Sequence, residues 1–406
     1  MAANSGRNIS SFLFKASILC ISIDTSAAGI ISGAIPAVEA DFSNVPSSLV
    51  ESISTLPSLA ILIFIALSPL LTGKLGYKKV ALIGLAISFI AGVMPFFATN
   101  IYMVLVCRFF FGAGIGLLNP MAFSIVSYFY VGNERAQMLG LIGTVSSLSS
   151  TLLTMLAGVL LKISWRASFL SYSIILIIFF LVMIILPEMD ISSNTSNESI
   201  WTRLGKLSKR VYLFFAYYAV LQLMLEGMIV KYGLLITGKG FGSATSASFV
   251  MSFMSITGMI VGIIFAPVFK VLKNSLLPIA IAAMSAALIG MSFTNSLMVS
   301  AILLIIVTAA FTFAPAFLYY QIAEVAPKSL VNFCNSVMLI FVNVSVFLTP
   351  YIYSGIAKIS GNASPSAALV AAGVIGIVLL ILVLAVMKFA PRKQQIKDDS
   401  QEVENK

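Results

Sequence analysis

The feature of this sequence that most limits its fold is a series of long, almost uninterrupted apolar runs. A helix needs about 20 mostly apolar residues to cross a bilayer, because each residue adds only about 1.5 Å. By this criterion the sequence predicts an all-α integral membrane protein with twelve transmembrane helices. The approximate limits of these spans are 12–34, 47–72, 78–98, 101–130, 136–162, 166–186, 210–236, 245–271, 275–296, 298–322, 330–356 and 364–389.

Charged residues are too scarce to cover a soluble protein of this size. Only 9% of the 406 residues are charged, whereas soluble domains carry roughly 25%. A net charge of +10 could indicate nucleic acid, but the basic residues lie in short loops and form no patch with interleaved aromatic residues. We therefore expect a lipid bilayer around this chain, and no nucleic acid.

Residues suited to metal or covalent chemistry are few. The chain has no histidine, and Cys20, Cys107 and Cys334 lie inside apolar runs without the spacing of metal ligands. The Gly-x-Gly-x-Gly run at 112–116 falls within a predicted membrane helix, and no Walker phosphate-binding loop is present. The sequence predicts no enzyme, no metal and no cofactor, so a gradient must drive any transport.

Lysine and arginine are distributed unequally between the loops on the two sides. Arg108 and Lys231 fall inside spans, and all other basic residues but a few lie on one side. The exceptions are Lys162, Arg166, Lys239 and Lys358. Since cytoplasmic loops are enriched in Lys and Arg, we expect both termini in the cytoplasm and the chain in the plasma (inner) membrane. The first run is interrupted by Asp24 and followed by further spans, so we expect an uncleaved helix there.

The longest polar segment between spans divides the chain into six spans and six. The two parts also echo each other weakly, since Ser68-Pro ends the second span as Ala266-Pro ends the eighth. Paired six-helix repeats are typical of transporters, whose substrate site lies between the halves near the membrane midplane. We expect two pseudo-symmetric six-helix bundles over 1–186 and 210–389, a cytoplasmic loop over 187–209 and a cytoplasmic tail over 390–406.

The loop after the second span carries the most specific motif. It reads Pro69-Leu-Leu-Thr-Gly-Lys-Leu-Gly-Tyr-Lys-Lys and resembles the G-x-L-A-D-R-x-G-R-R loop of the major facilitator superfamily. Lys74, Gly76 and Lys78 match its basic and glycine positions, and the resemblance implies that they form a gating loop. Gly73 stands where the family usually has an aspartate that helps lock the cytoplasmic gate, so this chain departs from the pattern there.

Two further motifs extend the resemblance over essentially the whole chain. Arg108, followed by Gly112 and Gly114, resembles the family's R-x-x-x-G-x-G pattern, whose arginine is tied to proton coupling. Trp165-Arg166-Ala-Ser-Phe is similar to W-R-x-x-F at the start of the sixth span. The fifth span lacks the glycine-proline motif of the family's drug–proton antiporters, which argues against that subclass. The resemblance also implies a monomer.

Four charged residues lie deep inside predicted spans, away from the span ends, where a charge costs several kcal/mol and indicates function by default. We predict proton coupling for Asp24 and Arg108, with a helix–helix hydrogen bond and a static ion pair as the respective alternatives. We predict substrate contacts for Glu226 and Lys231. A structural role for Glu226 and outward snorkelling of Lys231 are the alternatives.

Uncharged and peripheral polar residues complete the set of candidates. Gln222, four residues before Glu226, and Asn335 on the eleventh span are predicted to hydrogen-bond the substrate. Glu51 begins the second span and Glu324 ends the tenth. Both acids are interpreted as interfacial.

These features predict a secondary active transporter that moves a small molecule by alternating access. Proton-coupled efflux of a hydrophobic or amphipathic molecule is the first expectation, with protons as the coupled ion. The alternative is a proton-coupled or facilitative importer of a small metabolite or organic anion. A channel or a sensor with the same fold stays open as a third possibility, because fold does not fix function.

Overall fold

Helices make up nearly all of the chain described by this computed structural model. The described residues are 12–130, 132–186, 188, 205, 207–326 and 330–389. The first residues, most of the predicted central loop and the predicted C-terminal tail lie outside them. The helices of the first half are α1 (Phe12–Thr25), α2 (Ile35–Asp41), α3 (Ser47–Leu75), α4 (Tyr77–Val93), α5 (Ile101–Phe129), α6 (Gly132–Leu160) and α7 (Ile174–Ile185). Those of the second half are α8 (Lys209–Gly238), α9 (Ala244–Leu272), α10 (Leu276–Phe293), α11 (Leu297–Val325), α12 (Val331–Ser360) and α13 (Pro365–Phe389).

Most of these helices can cross a membrane. Among the described residues, 10 segments are long and apolar enough, and one of them, Ala244–Phe293, contains both α9 and α10. The first predicted span is divided into pieces too short to be counted. The all-α membrane fold is confirmed, and the helices are consistent with twelve crossings.

The first span differs from its prediction as one helix over 12–34. The α-helix ends at Thr25, an irregular stretch follows, and a 3₁₀ turn at Ser32–Ala34 leads into α2. Thr25 and Ser26 direct their hydroxyls to the carbonyls of Ser22 and Ile23 (3.1 and 2.9 Å). Such bonds compete with the helical pattern. Hydropathy does not register this competition, so the break was missed.

Buried apolar residues form two clusters. The first extends from Phe14 to Leu186 and includes Val230 of α8, and the second extends from Leu207 to Val383. Apart from Val230, and from Leu207 at the end of the predicted central loop, the buried residues of each cluster lie within one predicted half. This grouping supports the predicted division between two bundles, which remains a proposal.

The two ends of the molecule differ in how the halves meet. We call the end where α1 begins and α13 ends the terminal end, and the opposite end the far end. At the far end, Ser248 of α9 leaves no room for a side chain on two glycines of the first half. A Cβ added to Gly158 of α6 would lie 2.9 Å from the Cβ of Ser248, and a Cβ added to Gly33 would lie 2.8 Å from it. Nearer the terminal end, Gly140 of α6 and Gly262 of α9 have nothing within 4 Å of a Cβ position. The halves are therefore in close contact at the far end, and these two helices have open space beside them at the terminal end.

Candidate functional site

Arg108 lies in the first third of α5 and is fully buried. Its Nε donates a hydrogen bond to the carbonyl of Ile53 on α3 (2.7 Å). In a regular helix this carbonyl would accept from the residue four positions later, but that residue is Pro57, which has no N–H. Arg108 thus satisfies a carbonyl that proline leaves free.

The same guanidinium also reaches the break in the first span. Its Nη2 donates to the carbonyl of Ala28, and its Nη1 donates to the hydroxyl of Tyr172 (3.0 Å). Tyr172 in turn donates to the carbonyl of Ala27 (3.2 Å). Irregular backbone is tolerated at membrane depth only where protein or water satisfies its polar groups. Arg108 and Tyr172 supply that satisfaction here.

Glycines after Arg108 let α5 approach its neighbours closely. A Cβ on Gly112 would lie 2.6 Å from the Cα of Pro57, and a Cβ on Gly114 would lie 2.6 Å from the carbonyl oxygen of Gly84 on α4. These distances are too short for any side chain. The glycines of the R-x-x-x-G-x-G pattern therefore seat α5 against α3 and α4, which brings Arg108 to the carbonyl freed by Pro57.

Asp24 lies one residue before the end of α1, whereas the predicted span 12–34 would have placed it near the middle of one helix. Its side chain is fully buried, and its Oδ2 accepts a hydrogen bond from Ser88 of α4 (2.9 Å). Its Oδ1 has no partner among the described residues. Asp24 and Arg108 border the same break, but the described side chains do not form an ion pair between them.

Glu226 and Gln222 lie one turn apart on α8, and both are buried. Neither side chain has a hydrogen-bond or ion-pair partner in the part of the chain that the structure describes. Beside them, a Cβ on Gly227 would lie 2.5 Å from the Cζ of Tyr353, so α12 packs directly on α8 at this level. The structure therefore places two largely buried polar side chains without protein partners together in the second half.

Asn335 lies at a different depth from Glu226. Two contacts define how the parallel helices α8 and α12 are aligned: Phe215 stacks on Phe341, and Gly227 packs on Tyr353. Because the two pairs have the same separation in sequence, they give the same register between the helices. In this register Asn335 is level with the start of α8, roughly 25 Å along the axis from Glu226 at about 1.5 Å per residue. One small molecule therefore cannot contact both side chains in this conformation.

Lys231 pairs across the two halves. Its Nζ forms an ion pair with Oε1 of Glu51 on α3. Glu51 is only 1% exposed, so its interpretation as an interfacial residue was wrong. The nearby hydroxyl of Ser52 donates to the hydroxyl of Tyr351 on α12 (3.2 Å), a second polar link between the halves. Both charged side chains line a cavity of about 710 Å³ at the far end.

A sequence signal for Glu51 does exist. Polar residues follow one face of α3 at the helical spacing of three and four: Ser47, Glu51, Ser54, Thr55 and Ser58. In a membrane helix such a stripe faces protein or a cavity more readily than lipid. This polar face of α3 therefore indicates that Glu51 lies inside the molecule.

The predicted gating loop joins α3 and α4 at the terminal end. Gly76 has φ +81°, a conformation that glycine adopts without strain. Lys74 is exposed, Lys78 is half-buried, and both line a small cavity with Glu188, which follows α7. The gating role of these residues remains a prediction.

The Trp165-Arg166 motif anchors the far end of the broken span. Trp165 Nε1 and Arg166 Nη1 both donate to Oδ2 of Asp41, at 2.8 and 3.0 Å. The hydrogen bond from Trp165, together with the interactions of Arg166, holds the pKa of Asp41 below its usual range. This cluster ties α2 to the loop between α6 and α7.

Two helical halves, each with its own core, enclose buried polar groups and touch each other at one end. This arrangement defines a membrane transporter that works by alternating access. The chain belongs to the Major Facilitator Superfamily, whose sequence profile matches residues 17–350. The proteins of this family are transporters, which are not enzymes.

Among curated proteins, the chain is similar to the Protein TsgA homolog of Buchnera aphidicola subsp. Schizaphis graminum (strain Sg). The two are 28% identical over 181 residues, which is 43% of this chain. The match spans about half (46%) of the length of that relative.

Solved structures share the fold at low sequence identity. A crystal structure of the nucleoside transporter NupG has a TM-score of 0.78 and 13% identity, covering 92% of this chain and 99% of that one. The xylose transporter XylE from E. coli, in an inward-open conformation, has a TM-score of 0.70 and 14% identity, covering 95% and 97%. A bacterial homolog of the human lysosomal transporter Spinster, inward-facing and occupied, has a TM-score of 0.76 and 14% identity, covering 94% and 98%.

Proposed function

We propose that this protein couples the movement of a small polar molecule to protons, with Asp24 as the proton site. The observation that supports this most is that Asp24 and Glu226 are both buried without a cationic partner among the described residues. An unpaired carboxylate in a membrane interior costs several kcal/mol. Each carboxyl group therefore needs a proton or a ligand during part of the transport cycle.

Arg108 acts as a positioning residue in this proposal. It fixes the broken first span by holding the carbonyls of Ile53 and Ala28. Asp24 lies at the edge of that break, so a change in its protonation acts directly on the segment between α1 and α2. A shift of that segment on protonation of Asp24 would move α2 and thereby change the contacts between the halves at the far end.

Glu226 and Gln222 are proposed to contact the substrate. A hydrophobic molecule would leave both groups unpaired, at a cost of about 1–3 kcal/mol for each neutral group. A molecule with hydroxyl, amide or amino groups would satisfy them. The fold neighbours include a nucleoside transporter and proteins described as proton–xylose symporters, which fits a polar substrate.

Import of a small metabolite is therefore our preferred function, ahead of the efflux that the sequence first suggested. In this structure α6 and α9 have open space beside them at the terminal end, which is the end that we expect in the cytoplasm from the distribution of Lys and Arg. We propose a monomer in the plasma membrane with both termini cytoplasmic. An inward-open carrier of this kind can release an imported substrate or load an exported one.

The test uses the purified chain in liposomes with an imposed pH gradient. A panel of labelled nucleosides, sugars, organic anions and lipophilic cations is offered, and accumulation against the substrate gradient is compared with exchange at equal pH. Asp24→Asn should abolish accumulation and retain exchange. Glu226→Gln should raise the substrate concentration needed for exchange.

Four outcomes would overturn this function or part of it. Accumulation that survives in Asp24→Asn would remove the proton role from this residue. A pH gradient that drives only lipophilic cations out of the liposomes would favour efflux. Conductance without saturation would indicate a channel, and binding without flux would indicate a sensor.

A further inference from the structure

A cleft in the second half lies away from the contacts between the halves. Its volume is about 320 Å³, which is at the small end of ligand sites (roughly 300–1,000 Å³). One face each of α8, α11 and α13, with the start of α10, forms its walls. Its polar residues are Arg210, Tyr217, Asn274 and Gln321, and the other side chains around it are apolar.

The cleft lies where these helices end at the terminal end of the molecule. α8 begins at Lys209, α10 begins at Leu276, α11 ends at Val325 and α13 ends at Phe389. Every lining residue is within about eight residues, or roughly 12 Å, of one of those helix ends. The cleft therefore lies near the boundary between the bilayer core and its headgroups.

Tyr217 is a buried polar group that the protein does not satisfy. Its side chain is 6% exposed, and its hydroxyl has no hydrogen-bond partner in the described part of the chain. A buried hydroxyl without a partner costs about 1–3 kcal/mol. Helical side chains lean towards the helix start, and Arg210 lies two turns nearer that start on the same face of α8.

The rim of the cleft is basic. Arg210 lines it and is exposed, Lys273 precedes Asn274, and Lys388 follows the lining residue Met387. The exposed Glu324 beside Val325 is the acid nearest to the lining residues in sequence within the described ranges. The excess of positive charge favours an anionic group at the membrane boundary.

The outer wall of the cleft is apolar and faces away from the core. Leu213, Val386 and Met387 line it, with 38%, 39% and 43% exposure. In a membrane protein such exposed apolar side chains contact acyl chains. The cleft thus combines a basic rim, a hydroxyl in need of a partner and an apolar side that opens towards lipid.

We propose that this cleft binds the headgroup of an anionic phospholipid. The phosphate would contact Arg210 and the amides of Asn274 and Gln321, the Tyr217 hydroxyl would donate to an ester or headgroup oxygen, and the acyl chains would follow α13. This site does not depend on which substrate is carried. Its failure would therefore leave the proposed function untouched.

The test measures the thermal unfolding midpoint of the purified full chain in neutral detergent, with and without added lipid. Phosphatidylglycerol should raise the midpoint more than phosphatidylcholine with the same acyl chains, because a ligand of the folded state stabilises it. The difference between the midpoint rise with phosphatidylglycerol and the rise with phosphatidylcholine should fall by about half or more in Arg210→Gln and in Tyr217→Phe. Tyr217→Phe removes only an unpaired hydroxyl, so its folding without lipid should be unimpaired.

Lys209→Gln is the matched control, since Lys209 is adjacent to Arg210 but does not line the cleft. It should keep nearly the full shift. Equal shifts with the two lipids, or equal shifts in all variants, would mean non-specific contact with lipid and would overturn the proposal. A full shift with inorganic phosphate or glycerol phosphate alone would assign the cleft to a soluble anion instead.

Discussion

At the scale of the residue, Arg108 shows how a permanent charge can be kept inside a membrane. Its guanidinium cannot lose its proton in practice, and in the described structure its bonds go to the carbonyls of Ile53 and Ala28 and to the hydroxyl of Tyr172. The ring of Phe111 also lies 4.8 Å from its central carbon. The positive charge of Arg108 is thus stabilised by the dipoles of the two carbonyls and the hydroxyl, and by the face of the Phe111 ring.

This account predicts the effect of Arg108→Lys. The single ammonium group of lysine cannot replace the planar guanidinium group, whose N–H donors reach several acceptors at once. A carbonyl would be left unpaired, which should lower the free energy of unfolding by about 1–3 kcal/mol. Pro57→Ala gives the Ile53 carbonyl a partner within its own helix. Added to Arg108→Lys, it should recover part of the loss in thermal unfolding midpoint. No recovery in the double variant would show that the Ile53 contact is unimportant.

A second residue-scale prediction concerns Asp41 and pH. Its pKa is lowered in the folded state, first by the hydrogen bond from Trp165. The stabilisation is therefore complete above the pKa of an unfolded aspartate, about 3.9, and is lost as pH falls through the lower pKa of the folded state. Asp41→Asn should lower the free energy of unfolding slightly at pH 7, by less than about 1 kcal/mol, because the cluster is partly exposed. The wild type and this variant should converge only once the pH has fallen below the pKa of Asp41 in the folded state.

The sequence identified some of these residues and missed others for physical reasons. Asp24, Arg108 and Glu226 were predictable because a charge inside an apolar run is costly wherever it points. The partners of Arg108 were not, since backbone carbonyls carry no sequence signature. Glu51 was misjudged because its position near a helix start suggested contact with water, whereas the tertiary contact with Lys231 buries it.

At the scale of the element, the fold depends on interruptions that hydropathy cannot detect. The apolar runs predicted the helices well, because length and composition suffice to define a membrane span. They could not predict that the first span would break after Thr25. The break depends on hydroxyl groups near it and on Arg108 and Tyr172, which are distant in sequence.

Close packing of α5 gives an element-scale prediction. Gly112→Ala would bring a Cβ within 2.6 Å of the Cα of Pro57, and such overpacking costs about 1–3 kcal/mol. Gly140→Ala is the control, because nothing lies within 4 Å of its Cβ position. That change should be neutral or stabilise α6 by about 0.5–1 kcal/mol. Equal unfolding midpoints for the two variants would contradict the role given to Gly112.

At the scale of the whole molecule, the contacts between the halves determine which end is closed. The far end combines close packing of Gly33 and Gly158 on Ser248 with the ion pair between Glu51 and Lys231. Packing of small residues resists separation only while the surfaces stay in contact. A buried ion pair adds a larger penalty, because separating it leaves two charges unpaired until water enters.

The ion pair therefore predicts how the conformational equilibrium responds to charge. Glu51→Gln leaves Lys231 unpaired, at a cost of about 3–5 kcal/mol to the far-end-closed state, so the far end should open. Spin labels at Ile163→Cys and Ile359→Cys, both exposed on opposite halves, would report a longer distance in this variant. The exchange of both charges, Glu51→Lys with Lys231→Glu, should restore the short distance, and Lys358→Gln in the same cavity should not change it. If Glu51→Gln keeps the wild-type distances, close packing alone closes the far end.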